Sequence, residues 1–587
     1  MSGAPGRGRQ EYEPTLIQHN EVKRQFRDSP NIAACVILIS NQVPMRRNLS
    51  QATEGLIELL YIRAGLWNRF VQAEKAEDII RKLLDAGEPE AIPDLLPLLL
   101  TGDKRSVKAS AVAIHGLLRQ LKPADYVNFD QFVRQGWSNW HERRGPWYWM
   151  KPGDVSHLAN FGEESISILG IASFHGSGYV REEATRRLGK VVTGAELPFL
   201  LIRVNDWVEA VRSLARSLLM ARIRSDYLPH FLMWLPLALR LGGAKRNDDS
   251  TIAQAIRELF ERPEARNALE EGFESKDKFT RRFCFDVALN SDDAGLESTI
   301  RQAFAIQDLD VRKAAVSKLD AILPNNKWND LLVVARRDAS ASVRREALNF
   351  YLEKFGEQAE QEFESALLDA NISIREMAQQ FFAKQGNVDV RDFYAQSLNA
   401  SGSRKLSAAI AGLGEAGGAA DARLVEPFFA NSSARVRASA LHAVGKLNPD
   451  AYIETFVFAL EDASAGVARE GALALIRKAN FVGGLRLWEI YIRSLYPHNK
   501  RFVLYLISRI SKWDSIFYLV QSLSETDERL VELSKRYVAR WFSRYNRSFA
   551  VPSADQLKRL RKLLDERNLL VSAETEQSLE SLMKSFG

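Results

Sequence analysis

Along the middle of the chain one pattern of apolar and polar positions recurs. An apolar residue is followed by Arg, then by a small residue at plus four and often by another apolar residue at plus eight. Val180-Arg181 has Ala184 and Leu188, Val211-Arg212 has Ala215 and Leu219, and Val311-Arg312 has Ala315 and Leu319. Val343-Arg344 has Ala347, Ile374-Arg375 has Ala378 and Phe382, and Val436-Arg437 has Ala440 and Val444. Thr280-Arg281 with Cys284, and Ser403-Arg404 with Ser407, fit more loosely. Val107-Lys108 with Ala111, and Val467 with Gly471, are weaker copies. Positions zero, plus four and plus eight share one face of a helix. Most steps between copies are 29–33 residues, room for two helices of about 12 residues and two short turns. The step from 211 to 280 is long enough for one divergent repeat.

The small residue at plus four lets a neighbouring helix come close. Five positions before many copies stands Asp206, Asp338, Asp369 or Asp462, with Asn431 in the same slot. Such a residue suits the turn between helices and the start of the second one. The Arg at plus one can reach the Asp of a neighbouring repeat, so an Asp/Arg ladder is expected along the stack.

The series resembles HEAT repeats of the VR-x-x-A form. Ala91-Ile-Pro-Asp-Leu-Leu-Pro-Leu-Leu-Leu, with Pro93 and Pro97, resembles the first helix of such a unit. The resemblance implies an all-α, right-handed α-solenoid of helical hairpins with capping helices at both ends. It covers about two-thirds of the chain, residues 86–480 at least. The expected organisation is a tail and N-terminal helical cap over 1–85, with a helix at Gln51–Val71, and first repeats over 86–225. Central repeats follow over 226–480, then basic-aromatic helices and a cap over 481–587. Such arrays serve as scaffolds, adaptors and transport receptors and rarely as enzymes, so the likeness speaks to fold more than to activity.

The pattern fails in places where function can sit. Residues 125–162 form an insertion in which Trp137, Trp140, Trp147 and Trp149 crowd around Arg143 and Arg144. Rings beside guanidinium groups suit base stacking or a protein contact; rings folded back onto the array are the structural alternative. Tyr227–Leu241 is apolar and broken by prolines, which predicts a buried helix. Residues 481–562 hold 16 Lys and Arg against 7 Asp and Glu. There Arg536, Arg540 and Arg544 repeat every four residues beside Tyr537, Trp541 and Tyr545. A basic stripe next to an aromatic one suits a phosphate backbone or an acidic helix, and equally the solvated edge of a cap.

Composition changes the picture little. The formal charge of +6 is small against 80 basic and 74 acidic residues. Two cysteines with no pairing or zinc spacing, and no secretory leader pattern, make the cytoplasm the expected compartment. No Walker A sequence, HExxH or nucleophile elbow occurs, so no catalytic residue, metal or cofactor is expected. The leading expectation is a non-enzymatic scaffold or adaptor that binds a protein along its concave face. The alternative is a nucleic-acid-binding solenoid using the C-terminal stripe; HEAT-like alkylpurine DNA glycosylases share only the architecture.

Overall fold

A computed structural model describes residues 49–63, 73–135, 145–241, 250–291, 295–320, 328–399, 401–545, 549–565 and 573–586. The leading Gly- and Arg-rich tail lies outside them. The described residues form α-helices and short 3-10 turns, with no strand among them. The chain is an all-α helical-repeat solenoid. It divides into two compact units, Met1–Leu332 and Val333–Gly587.

In the first unit, Ser165–Ala172 pairs with Gly178–Leu188, Leu197–Arg203 with Glu209–Met220, and Arg266–Phe273 with Lys278–Leu289. The long step after position 211 holds one divergent hairpin, Leu228–Leu241 with Ser250–Phe260. Pro236 lies inside its first helix, and Phe231, Leu235 and Leu237 are buried, as the apolar run predicts. In the second unit, Glu360–Leu367 pairs with Ile372–Gln385, Ile453–Ala459 with Ala465–Leu475, and Gly484–Arg493 with Pro497–Ile507.

The apolar face is buried where the repeat is regular. Val180, Ala184, Leu188, Val211, Ala215, Leu219, Ile374, Ala378 and Phe382 are all inaccessible or nearly so. The small residue at plus four is required by close approach. A Cβ on Gly471 would stand 2.7 Å from the Phe456 carbonyl oxygen and 3.0 Å from the Ala459 Cβ.

The expected ladder is present, and it does more than pair charges. Arg181 Nε and Nη2 donate to Asp206 at 2.9 and 2.8 Å, Arg344 to Asp369 at 2.7 and 2.7 Å, and Arg437 to Asp462 at 2.9 and 2.8 Å. The partners are 25 residues apart each time. The remaining guanidinium nitrogen donates to the carbonyl six residues back: Asp338 for Arg344, Asp369 for Arg375, Asn431 for Arg437. The carboxylate in turn accepts the amide two residues on, at Val208, Asn371 and Ser464. One Arg therefore closes its own hairpin turn and grips the next.

Residue identity explains where the ladder changes. Twenty-five residues after Arg375 the sequence has Ala400 in place of an acid, and Arg375 reaches Glu415 at 3.0 and 2.5 Å. Arg212 pairs with Glu209 of its own helix and donates to the Asp206 carbonyl, while the turn after Leu228–Leu241 lies outside the described residues. The Ser403-Arg404 reading is out of register. Ser403 and Arg404 are exposed although Ser407 is buried, and the fully buried line runs through Ala409, Ile410 and Leu413. Val107 is likewise beside the core, which takes Ser106, Ser110 and Ile114. One rung escaped the sequence pattern altogether. Buried Asn499 and Lys500 stand in place of Val-Arg, and Lys500 Nζ donates to Glu525, 25 residues on, at 2.8 Å.

Candidate functional site

Three regions stand out from this frame. The first lies in the first unit, beside the Trp-rich segment. The insertion is partly helical, with Tyr126–Gln135 packed against Leu197–Arg203. This helix presents Asp130 and Arg134 to the first rung of the ladder. Arg203, 1% exposed, donates to Asp130 at 2.5 Å, to Asp206 at 2.9 Å and to the Ser173 carbonyl at 2.7 Å. Arg134 donates to Asp130 at 3.0 Å and approaches Asp206 at 3.5 Å. Three guanidinium groups thus share two carboxylates. Burial lowers the pKa of Arg203 to about 10 despite those partners. Burial opposes ionisation of Asp206, but the Arg181 hydrogen bonds and the Arg203 charge outweigh it and hold its carboxyl at about 2. Each acid is already committed to arginines, so the cluster works as a brace. Trp207, 56% exposed, lies over Arg134 and Arg181 with centroid distances of 5.3 and 5.1 Å. Asp130, Arg203 and Trp207 were not singled out from sequence; the one signal was Trp directly after the ladder residue Asp206.

The candidate tryptophans separate. Trp147 is 1% exposed, and its carbonyl meets His175 Nε2 at 2.9 Å. His175 Nδ1 accepts the Ser177 amide, so Nε2 carries the proton of a neutral ring, and burial holds its pKa down. Trp149 is 75% exposed. Trp137, Trp140, Arg143 and Arg144 lie outside the described residues.

The second region is the C-terminal helix Glu528–Ser543, whose two stripes go different ways. Arg536 and Arg540 are exposed, while Arg544 is the exposed C-cap rather than a helical position. Trp541 and Tyr545 are half-buried. Trp541 Nε1 donates to the Lys512 carbonyl at 2.8 Å, and its ring meets Trp513 edge-on at 5.6 Å. Lys512 Nζ sits 3.8 Å from the Tyr545 centroid and donates to that residue's carbonyl. The chain's own lysine fills this aromatic cage. Tyr537 stays with the arginines.

The third region was not anticipated. A groove of about 470 Å³ runs between Ala341–Phe355 and Ile372–Gln385, the second helices of adjacent hairpins. Leu352, Met377 and Phe381 form its apolar floor, and Arg345, Asn349, Glu376, Gln380 and Lys384 line its sides. No group of His, Cys, Asp and Glu suited to a metal occurs among the described residues. None of their helices is long and apolar enough to cross a membrane.

No protein-family model matches the sequence, and no curated protein matches it. Among solved structures, yeast importin-β is similar over 88% of this chain and 67% of its own, at 12% identity and a TM-score of 0.31. A second importin-β structure covers 88% of this chain and 81% of its own, at 11% identity and a TM-score of 0.31. The Cnd3-Cnd2 condensin subcomplex of S. pombe covers 90% and 83%, at 13% identity and a TM-score of 0.29.

Proposed function

We propose that the chain is a non-enzymatic scaffold that holds a protein partner along the side formed by its second helices. The observation that carries this reading is the groove between Ala341–Phe355 and Ile372–Gln385. Arg344 and Arg375, one position away on the same helices, are consumed by the ladder. Arg345, Asn349, Glu376, Gln380 and Lys384 make no hydrogen bond or ion pair within the described residues. Their polar atoms are available to an extended segment of another protein. Asn349 and Gln380 have both a donor and an acceptor for its backbone, and Leu352 and Met377 give its apolar side chain a floor.

The test is peptide display against the full chain, counter-screened on Leu352→Glu and Gln380→Lys. Enriched peptides should bind at least about tenfold more weakly to either variant, the scale of a hot-spot loss. Peptides indifferent to both substitutions would remove the groove from the proposal. Turnover of a nucleotide, a DNA lesion or a small molecule by the purified chain would sink the scaffold reading.

A further inference from the structure

The buried line fixes the register of the last four second helices: Ala434–Leu447, Ala465–Leu475, Pro497–Ile507 and Glu528–Ser543. Adjacent members pack side by side. Each begins its buried face at Val436, Val467, Asn499 or Leu530. Ten positions on, in or just past each helix, stand Lys446, Arg477, Arg509 and Arg540. Two positions on, the middle pair carries Arg469 and Arg501. These offsets point away from the buried face. The result is a row of cations crossing four neighbouring helices, with a second, shorter row beside it. It is invisible to a search for local charge runs, because its members are about 31 residues apart.

The charge is one-sided. On the first helices of the same hairpins, Arg486 pairs with Glu454 at 2.8 Å and Arg493 with Glu461 at 2.9 Å. On the second-helix side, Lys446 has Glu415 at 4.0 Å and Arg469 has Glu470 at 3.9 Å. Arg477, Arg501, Arg509, Arg536 and Arg540 meet no carboxylate among the described residues, and all five are exposed. The only acid at an equivalent position on the last helix is Glu532. Two half-buried rings stand between these arginines. Tyr505 carries the Arg509 guanidinium 5.0 Å from its centroid and accepts from it at 3.0 Å. Tyr537 lies in electrostatic range of Tyr505, Arg501, Arg540 and Arg536.

We propose that this face binds single-stranded nucleic acid, its guanidinium groups on phosphates and Tyr505 and Tyr537 against unpaired bases. Arginine offers phosphate two parallel donors. Charge alone would serve an acidic peptide equally well. The interleaved rings favour a strand whose bases are free to stack. The site goes beyond the protein-scaffold reading and uses different residues.

The experiment uses the full chain and fluorescent mixed-sequence RNA and DNA single strands of about 20 nucleotides, enough to exceed one small site. Duplex DNA and poly-glutamate are the competitors. Single strands should bind at low salt, with a slope of log K against log salt near −3.5 for five phosphate contacts. Arg509→Ala with Arg540→Ala should weaken binding about tenfold or more and flatten the slope by about 1.4. Tyr505→Leu should weaken single strands and leave residual duplex binding unchanged. Arg486→Ala, on the paired side, should change nothing. No binding at low salt overturns the proposal. Poly-glutamate bound more tightly than the strands points to an acidic protein instead, and duplex bound as well as single strands removes the role of the rings.

Discussion

Arg437 and Asp462 face each other across 25 residues of chain, joined by parallel hydrogen bonds of 2.9 and 2.8 Å. Arg437 also donates to the Asn431 carbonyl, and Asp462 accepts from the Ser464 amide. Two side chains therefore tie together two turns. Both retain nearly a fifth of their side-chain exposure, which limits the direct charge contribution. Arg437→Ala is expected to cost about 1–3 kcal/mol, mainly through the unpaired carbonyl and carboxylate. A double-mutant cycle with Asp462→Asn should return about 1 kcal/mol of coupling, read by chemical denaturation. Zero coupling would mean the two residues act independently.

Asp206 makes stability depend on acid. Its folded pKa is about 2, below the usual carboxylate value near 3.9, so its contribution is complete at neutral pH. The contribution disappears as pH falls from about 4 towards 2. It is on the order of 2 kcal/mol. Asp206→Asn should destabilise the first unit at pH 7 by about 3 kcal/mol, since Arg181 and Arg203 lose a buried charged acceptor. Melting temperatures of the two proteins should draw together on acidification. A constant gap from pH 7 to pH 2 would exclude the linkage.

Gly471 and Gly445 make a matched pair. Gly471→Ala drives a methyl into the Phe456 carbonyl and is expected to cost about 1–3 kcal/mol. Around Gly445 the nearest atoms to an added Cβ are 3.8 and 3.9 Å away. Gly445→Ala should stabilise its helix by up to about 1 kcal/mol. Thermal unfolding of both variants separates close approach from helix propensity. Equal shifts would refute the packing argument.

Lys500→Glu should destabilise the last rung, and adding Glu525→Lys should recover part of the loss. Recovery is expected to be incomplete because Glu525 also accepts from Tyr491 at 3.0 Å, a bond that lysine would lose. Differential scanning of wild type, both single variants and the swap gives the answer. Identical stability for K500E and the swap would show that charge pairing is not what holds this step.

Much of the architecture was readable because the repeated positions sit under strong physical constraint. Val180, Ala184 and Leu188 share one buried helix face, and at Gly471 the preceding helix comes close enough to restrict the residue at plus four. The Arg–Asp distance in sequence follows from one hairpin length. The rung at Asn499-Lys500 was hidden because a buried amide and a lysine can fill places usually held by Val and Arg. Ser403-Arg404 misled because a correct spelling can stand two positions ahead of the buried face. For the candidate sites the limits were of another kind. Trp147 and Trp149 have the same composition signal yet opposite exposure, since exposure is decided by what packs on top. The stripe of Tyr537, Trp541 and Tyr545 could not disclose that Lys512, on another helix, already occupies two of its rings. The row of cations ten positions along each second helix becomes visible only after the register of every hairpin is set.

The ladder is also a map of seams. Each rung clasps one hairpin to its successor, and the first, at Asp206, is also tied back to Tyr126–Gln135, so an array held this way gives way at its weakest clasp. Arg404 stands exposed in water, and Arg391 on Asp421 clasps that step in its stead. Under tension, or on gentle warming, a step parts where its own clasp is weakest, while the bidentate rungs elsewhere in the unit still hold. The spacing of good rungs thus sets the lengths of rod between joints, and with it how each unit could yield to the shape of whatever it grips.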